Sequence, residues 1–217
     1  MQTRAVALAQ GWAASLTMGA GQFCTNPGIA FVIAGAQGNK FAEASIAALS
    51  GAGAQAMLTD GIAAAYRHGA NAVASAAHVE PLFTTKSVGR TALPNLFRVS
   101  LEHWLHCPDL QNEVFGPLGI IVEANDLDEM VAAAGAIEGQ LTCTLQMEEG
   151  DKAHAKRLLH HLERKAGRVL VNGFPTGVEW PARWCMASPI RLQPILAPLR
   201  WEPWQSAVSC AQFVTKI

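Results

Sequence analysis

The chain has 217 residues, 50% of them hydrophobic and 15% charged, with a formal net charge of −1. That hydrophobic share excludes an intrinsically disordered chain, and a pI of about 6.6 gives no support to a general nucleic-acid or membrane-surface binder. A charged fraction well below the roughly 25% of ordinary soluble domains places much surface in a core or against a partner.

The longest apolar runs, such as Ile29–Ala36, fall short of the roughly 20 residues of a bilayer span. Met1–Gln10 lacks the long apolar region of a signal peptide, so a cytoplasmic protein is expected. The cysteines Cys24, Cys107, Cys143, Cys185 and Cys210 have no regular spacing and no Cys-x-x-Cys pair. Reduced thiols are expected, with no structural zinc.

Val6, Leu8, Trp12 and Leu16 recur at helical spacing and predict a helix from Ala5 to Met18. Gly19-Ala20-Gly21 turns the chain, and Ile29–Ala34 reads as a buried strand. Ala42–Leu49 and Ala54–His68 read as alanine-rich helices, the second weakened by Asp60-Gly61. Ala70–Ala77, small and apolar, reads as a strand, as do Leu96–Ser100 and Gly119–Glu123. Asn125 or Asp126 caps a helix to about Ala134. Leu141–Gln146 is the next strand, and Asp151–Lys165 a helix with Gly167 placed as its glycine C-cap. Arg168–Val171 is a further strand. Strands alternating with helices predict an α/β unit with a mostly parallel sheet. From Trp180 onward, four of the six tryptophans and five of the eleven prolines follow no helix or strand period.

Two motifs carry chemistry. In Gly21-Gln22-Phe23-Cys24-Thr25-Asn26-Pro27-Gly28, a cysteine sits on a glycine-bounded loop between a helix and a buried strand. Such a thiol is placed either as a nucleophile, with backbone N–H groups near a developing oxyanion, or as an inert buried cysteine. In Glu113-Val114-Phe115-Gly116-Pro117, the carboxylate can accept two hydroxyl hydrogen bonds and the aromatic ring can lie on a flat cofactor. Alone, the same residues fit a surface glutamate and a core phenylalanine at a turn. A third cluster, His103-x-x-His106-Cys107-Pro108-Asp109, has histidines three apart, which can face one metal, but more simply reads as a surface helix. His160-His161 ends a charged helix and suits its dipole.

Taken together, Gly-Gln-x-Cys followed by Glu-x-Phe-Gly-Pro resembles the aldehyde dehydrogenase superfamily. The block Gly21–Gly28 is closer to one branch, the 2-oxoglutarate semialdehyde (2,5-dioxopentanoate) dehydrogenases. Leu16–Ala20, Gly139–Thr142 and Arg168–Val178 support the likeness, which covers about Ala5–Glu179. The resemblance implies an α/β, three-layer unit like the aldehyde dehydrogenase catalytic domain over residues 1–179, lacking the dinucleotide-binding domain. It makes Cys24 the catalytic cysteine, which forms a thiohemiacetal and then a thioester with an aldehyde. Glu113 becomes the residue gripping the nicotinamide ribose of NADP or NAD, and Phe115 the ring beside the nicotinamide. Phe23 and Phe174 would line the substrate tunnel, and a substrate carboxylate would call for an arginine such as Arg98 or Arg168. Members of the family are homo-oligomers; the expected partner is a small aldehyde, with no nucleic acid and no membrane.

The family's dinucleotide-binding domain, general-base glutamate and oxyanion asparagine lie upstream of the cysteine, whereas only 23 residues precede Cys24 here. The expectation is a truncated, weakly active or inactive form. Residues 180–217 depart from the family and are expected to be an aberrant, poorly ordered tail. Read one base earlier, the codons of Arg183–Ala187 can spell valine, histidine and glycine, and those of Arg200–Gln205 can spell serine, valine, glycine and threonine, as the family has there. A one-base deletion near Trp180 is therefore expected. The competing readings are a non-catalytic product of a damaged gene and a cofactor-independent cysteine esterase using His68 or His78.

Overall fold

The computed structural model describes residues 4–176 and 210–214. Helix α1 (Arg4–Thr17) leads through a tight turn to strand β1 (Ile29–Ile33), followed by α2 (Ala36–Ser50), β2 (Gln55–Ala56), α3 (Asp60–Ser75), β3 (Glu80–Phe83), β4 (Thr91–Ala92) and β5 (Asn95–Ser100). Then come α4 (Leu101–His106), β6 (Leu118–Ala124), α5 (Leu127–Ala136), β7 (Gln140–Gln146), α6 (Lys152–Lys165), β8 (Ala166–Val171) and β9 (Cys210–Val214).

Seven strands form one sheet in the order β3-β5-β6-β1-β9-β7-β8, and β2 and β4 make a small separate ladder. Among the described residues, only β3 runs antiparallel to its neighbour in the large sheet. Ile29 pairs with Ile120, and Phe97 pairs with the same residue from the other side. Alternation along these strands feeds two cores. Phe31, Phe97, Val99, Ile120 and Val122 pack with Tyr66 of α3, Trp104 of α4, Met130 of α5 and Leu158 of α6. Ala30, Val32, Leu96 and Ile121 point the other way, toward Trp12 and Leu16 of α1 and Phe41 of α2. Strands buried on both faces explain the continuous apolar runs. The result is the expected three-layer α/β unit with a mostly parallel sheet.

Three local expectations need correction. Ala70–Ala77 is mostly helix, the second half of α3. Ala63, Tyr66, Ala70 and Val73 are buried at helical spacing, and alanine's propensity carries the helix through a stretch without polar alternation. The helix also starts later than Ala54: Thr59 Oγ1 accepts from Ile62 N at 3.1 Å, so Asp60-Gly61 is its first turn rather than an interruption. Gly167 is not a helix cap, because Ala166 is already extended and the chain enters β8 directly. In the tail, where no strand was expected, Cys210–Val214 forms β9 between β1 and β7, with Ala211 in register with Ile29 on one side and Cys143 on the other. The rest of the expected aberrant tail lies outside the described residues.

Candidate active site

The segment from Thr17 to Gly28 is a tightly tied loop. Gly19, Ala20 and Gly21 have φ of 58°, 59° and 67°, three left-handed residues in succession. Glycine adopts this region freely; for Ala20 it costs roughly 1–2 kcal/mol, which its surroundings must offset. Amide side chains do so. Asn26 Nδ2 donates to the Leu16 carbonyl at 2.9 Å and to the Gly21 carbonyl at 3.1 Å. Gln22 Nε2 donates to the Gly19 carbonyl at 3.0 Å, and its Oε1 accepts from Leu58 N at 2.9 Å. A turn follows, in which Asn26 N donates to the Phe23 carbonyl at 2.9 Å, and Cys24 stands inside it with its side chain exposed. Beyond it, the buried Trp12 donates from Nε1 to the Pro27 carbonyl at 2.7 Å. The Gly28 carbonyl accepts from Ile120 N at 2.8 Å, which hands the chain to β1.

The second loop, Gln111–Pro117, runs into β6. Gly116 has φ 152° and lies against Tyr66: a Cβ there would sit 2.3 Å from the ring. The Tyr66 hydroxyl donates to the Leu93 carbonyl at 2.6 Å and accepts from Asn95 Nδ2 at 2.9 Å. Burial pushes the phenol up to about 12, against a smaller lowering by Asn95.

The two loops meet backbone to backbone. A Cβ on Gly21 would lie 2.3 Å from the Gly116 carbonyl carbon and 2.5 Å from Pro117 N. Between them opens a cleft lined by Gly21, Asn26 and Gly28 on one wall and Glu113, Val114 and Phe115 on the other. Cys24 is not part of the lining; its loop is. Glu113 is half-buried, and desolvation pushes its carboxyl up from the ordinary glutamate value.

Phe23 is 39% exposed, with its ring over Gly19. Phe174 is half-buried, and its ring fills the space beside Gly11 of α1. The segment after it touches the cysteine loop: the Pro175 carbonyl accepts from Thr25 Oγ1 at 3.3 Å and from Arg168 Nη2 at 3.4 Å. Arg98 lies elsewhere, paired with Glu80 at 2.7 Å and Glu123 at 3.5 Å.

The histidine cluster forms no metal centre: among the described residues no group of three or more histidine, cysteine or acidic side chains converges. His103 Nδ1 bonds Ser100 Oγ at 2.8 Å, and His106 Nδ1 bonds the Glu102 carbonyl at 2.7 Å, so both rings satisfy their own helix. His78 stacks on His103 at 4.0 Å between centroids, and His68 is exposed on α3. Sequence reasoning missed Tyr66, Asn26 and Gln22 as supports of the two loops.

No protein-family model matches the chain. It is 45% identical over 181 residues to "Alpha-ketoglutaric semialdehyde dehydrogenase 2" of Azospirillum brasilense, covering 82% of this chain and 34% of that protein. It is 38% identical over 186 residues to "Alpha-ketoglutaric semialdehyde dehydrogenase" of Acinetobacter baylyi, covering 82% and 35%. Among solved structures it superposes on a NAD-dependent benzaldehyde dehydrogenase from Corynebacterium glutamicum with a TM-score of 0.65 at 20% identity, over 78% of this chain and 37% of the other. A succinic semialdehyde dehydrogenase from Streptococcus pyogenes, solved with NADP+, gives a TM-score of 0.65 at 17% identity, over 79% and 38%. The fold is that of an aldehyde dehydrogenase catalytic-domain fragment. The relatives the chain is similar to by sequence are semialdehyde dehydrogenases, of which it spans about one third.

Proposed function

We propose that these residues form the cysteine half of an active site that oxidises an aldehyde to a carboxylic acid. The observation that carries this reading is the direct contact of Gly21 with Gly116–Pro117, which sets the Cys24 loop against the Glu113 loop across one cleft.

The Cys24 thiolate adds to the carbonyl carbon and forms the C–S bond of a thiohemiacetal. The carbonyl oxygen takes up the negative charge, which suits backbone N–H groups in a tight loop. Loss of hydride from that carbon leaves a thioester, and water then releases the acid and restores the thiol. A bound NAD or NADP supplies the hydride acceptor. The cleft suits one end of such a molecule in kind. Glu113 offers a carboxylate for ribose hydroxyls, and Phe115 offers an aromatic face. Glu113 and Phe115 would hold that end.

The similarity to alpha-ketoglutaric semialdehyde dehydrogenases supports a short semialdehyde of a 2-oxo acid as the substrate. Because the chain spans about one third of those relatives, weak or no dinucleotide reduction is expected from it alone. Cleavage of an activated ester needs only the thiol and is expected to proceed. Assaying both reactions in the wild type and in Cys24→Ala tests the reading. Ester cleavage that disappears in the variant supports it; ester cleavage at the wild-type rate in the variant removes Cys24 from its role.

A further inference from the structure

One side chain from outside both loops holds the strained turn that leads to Cys24. Gln55, on β2, accepts from Ala20 N through Oε1 at 2.8 Å and donates from Nε2 to the Thr17 carbonyl at 2.8 Å. Its single amide thus bridges the last residue of α1 and the one non-glycine residue among the three left-handed ones. The base is firm. Gln55 pairs with Ala92 across the β2–β4 ladder. Two residues on, Met57 is fully buried, and its N–H donates to the Arg90 carbonyl at 2.8 Å. Arg90 Nη2 donates back to the Met57 carbonyl at 3.0 Å. The following residue, Leu58, donates its N–H to Gln22, two positions before Cys24.

We propose that Gln55 is a positioning residue for Cys24. It fixes Ala20 in the left-handed region, and so sets the direction in which the loop presents the thiol. With the bridge gone, Ala20 loses the partner of its own N–H and relaxes toward ordinary backbone angles. Gln22–Thr25 then turn away from the Glu113 loop. The role rests on the reading of Cys24 as the nucleophile, but it can be tested apart from it, because an exposed thiol reacts with an alkylating agent whatever its function.

The experiment is site-resolved labelling of the full chain with iodoacetamide across a range of pH, following Cys24 and the buried Cys143 in the same molecules by peptide mass spectrometry. Gln55→Ala is expected to slow Cys24 labelling by roughly three-fold or more and to shift its pH profile, with Cys143 still protected. Gln55→Glu, which keeps the acceptor for Ala20 N but loses the donor to Thr17, is expected to fall between that variant and the wild type. It carries the test should Gln55→Ala expose Cys143 through general unfolding. Wild-type rates and pH profile at Cys24 in both variants would overturn the role. Parallel acylation of the wild type by an activated ester separates the two ideas. Absence of acylation at Cys24 counts against the nucleophile, whereas acylation together with unchanged labelling in the Gln55 variants counts against Gln55 alone.

Discussion

Gly21 packs directly on the backbone of Gly116, and neither glycine has room for a side chain. A Cβ on Gly21 would stand 2.3 Å from the Gly116 carbonyl carbon, and a Cβ on Gly116 would stand 2.3 Å from the Tyr66 ring. The stack Gly21–Gly116–Tyr66 couples the cysteine loop to the Glu113 loop and both to α3. Gly21→Ala is therefore expected to cost about 2 kcal/mol or more, from its left-handed backbone and the collision together. Denaturant titration checks the loss, and labelling of Cys24 should change in the same variant. A midpoint equal to that of the wild type would mean that the two loops are not in contact.

Tyr66→Phe keeps the ring under Gly116 but removes the hydroxyl between Asn95 and the Leu93 carbonyl. A loss of about 1 kcal/mol is expected near neutral pH. The same hydroxyl adds an alkaline signature. Its pKa is raised to about 12 by burial, above the ordinary value, so the folded form binds the proton more tightly than the unfolded one. The stability it supports is full below the ordinary tyrosine pKa of about 10 and is lost as pH climbs toward 12. Thermal midpoints of wild type and Tyr66→Phe should converge over that window; parallel curves would contradict the assignment.

Glu113 gives the same sign at acid pH. Burial raises its carboxyl, so its contribution is present below the ordinary glutamate pKa of about 4.3 and is lost as pH rises through the elevated folded value. Glu113→Gln removes the charged form that is costly to bury. The variant should match the wild type at low pH and exceed it in stability above the window. A variant less stable than the wild type at neutral pH would show instead that the carboxylate has a favourable partner.

Much of this architecture can be read from composition and spacing alone. Ile29–Ile33 and Leu118–Ala124 announce themselves because burial on both faces demands continuous apolar residues. Asp126 announces α5 because a capping oxygen is needed there, and it accepts from Glu129 N at 2.9 Å. Ala70–Ala77 misleads because small apolar residues carry no period, and only the packing of Tyr66 and Val73 decides the matter. Strand β9 was invisible because five residues with neighbours only from distant parts of the chain leave no local signal. Cys24 and Glu113 stood out through their motifs, but the amides of Gln22, Asn26 and Gln55 did not, since a glutamine that braces a turn looks like any polar residue until its partners are known.

We further propose that the tail from Trp180 is translated out of its original frame. Sequencing the encoding DNA is expected to show that the neighbouring frame spells valine-histidine-glycine across Arg183–Ala187 and serine-valine-glycine-threonine across Arg200–Gln205. Codons unable to spell both would end the idea.

Competition at the thiol is the most direct measurement. Cys24 is exposed, Cys107 partly so, and both lie in one chain, so one serves as the reference for the other. A short semialdehyde added before iodoacetamide should slow labelling of Cys24 in proportion to its concentration and leave Cys107 unaffected, because the thiohemiacetal blocks only the nucleophile. Labelling of Cys24 indifferent to the aldehyde, or slowed no more than that of Cys107, would contradict its role.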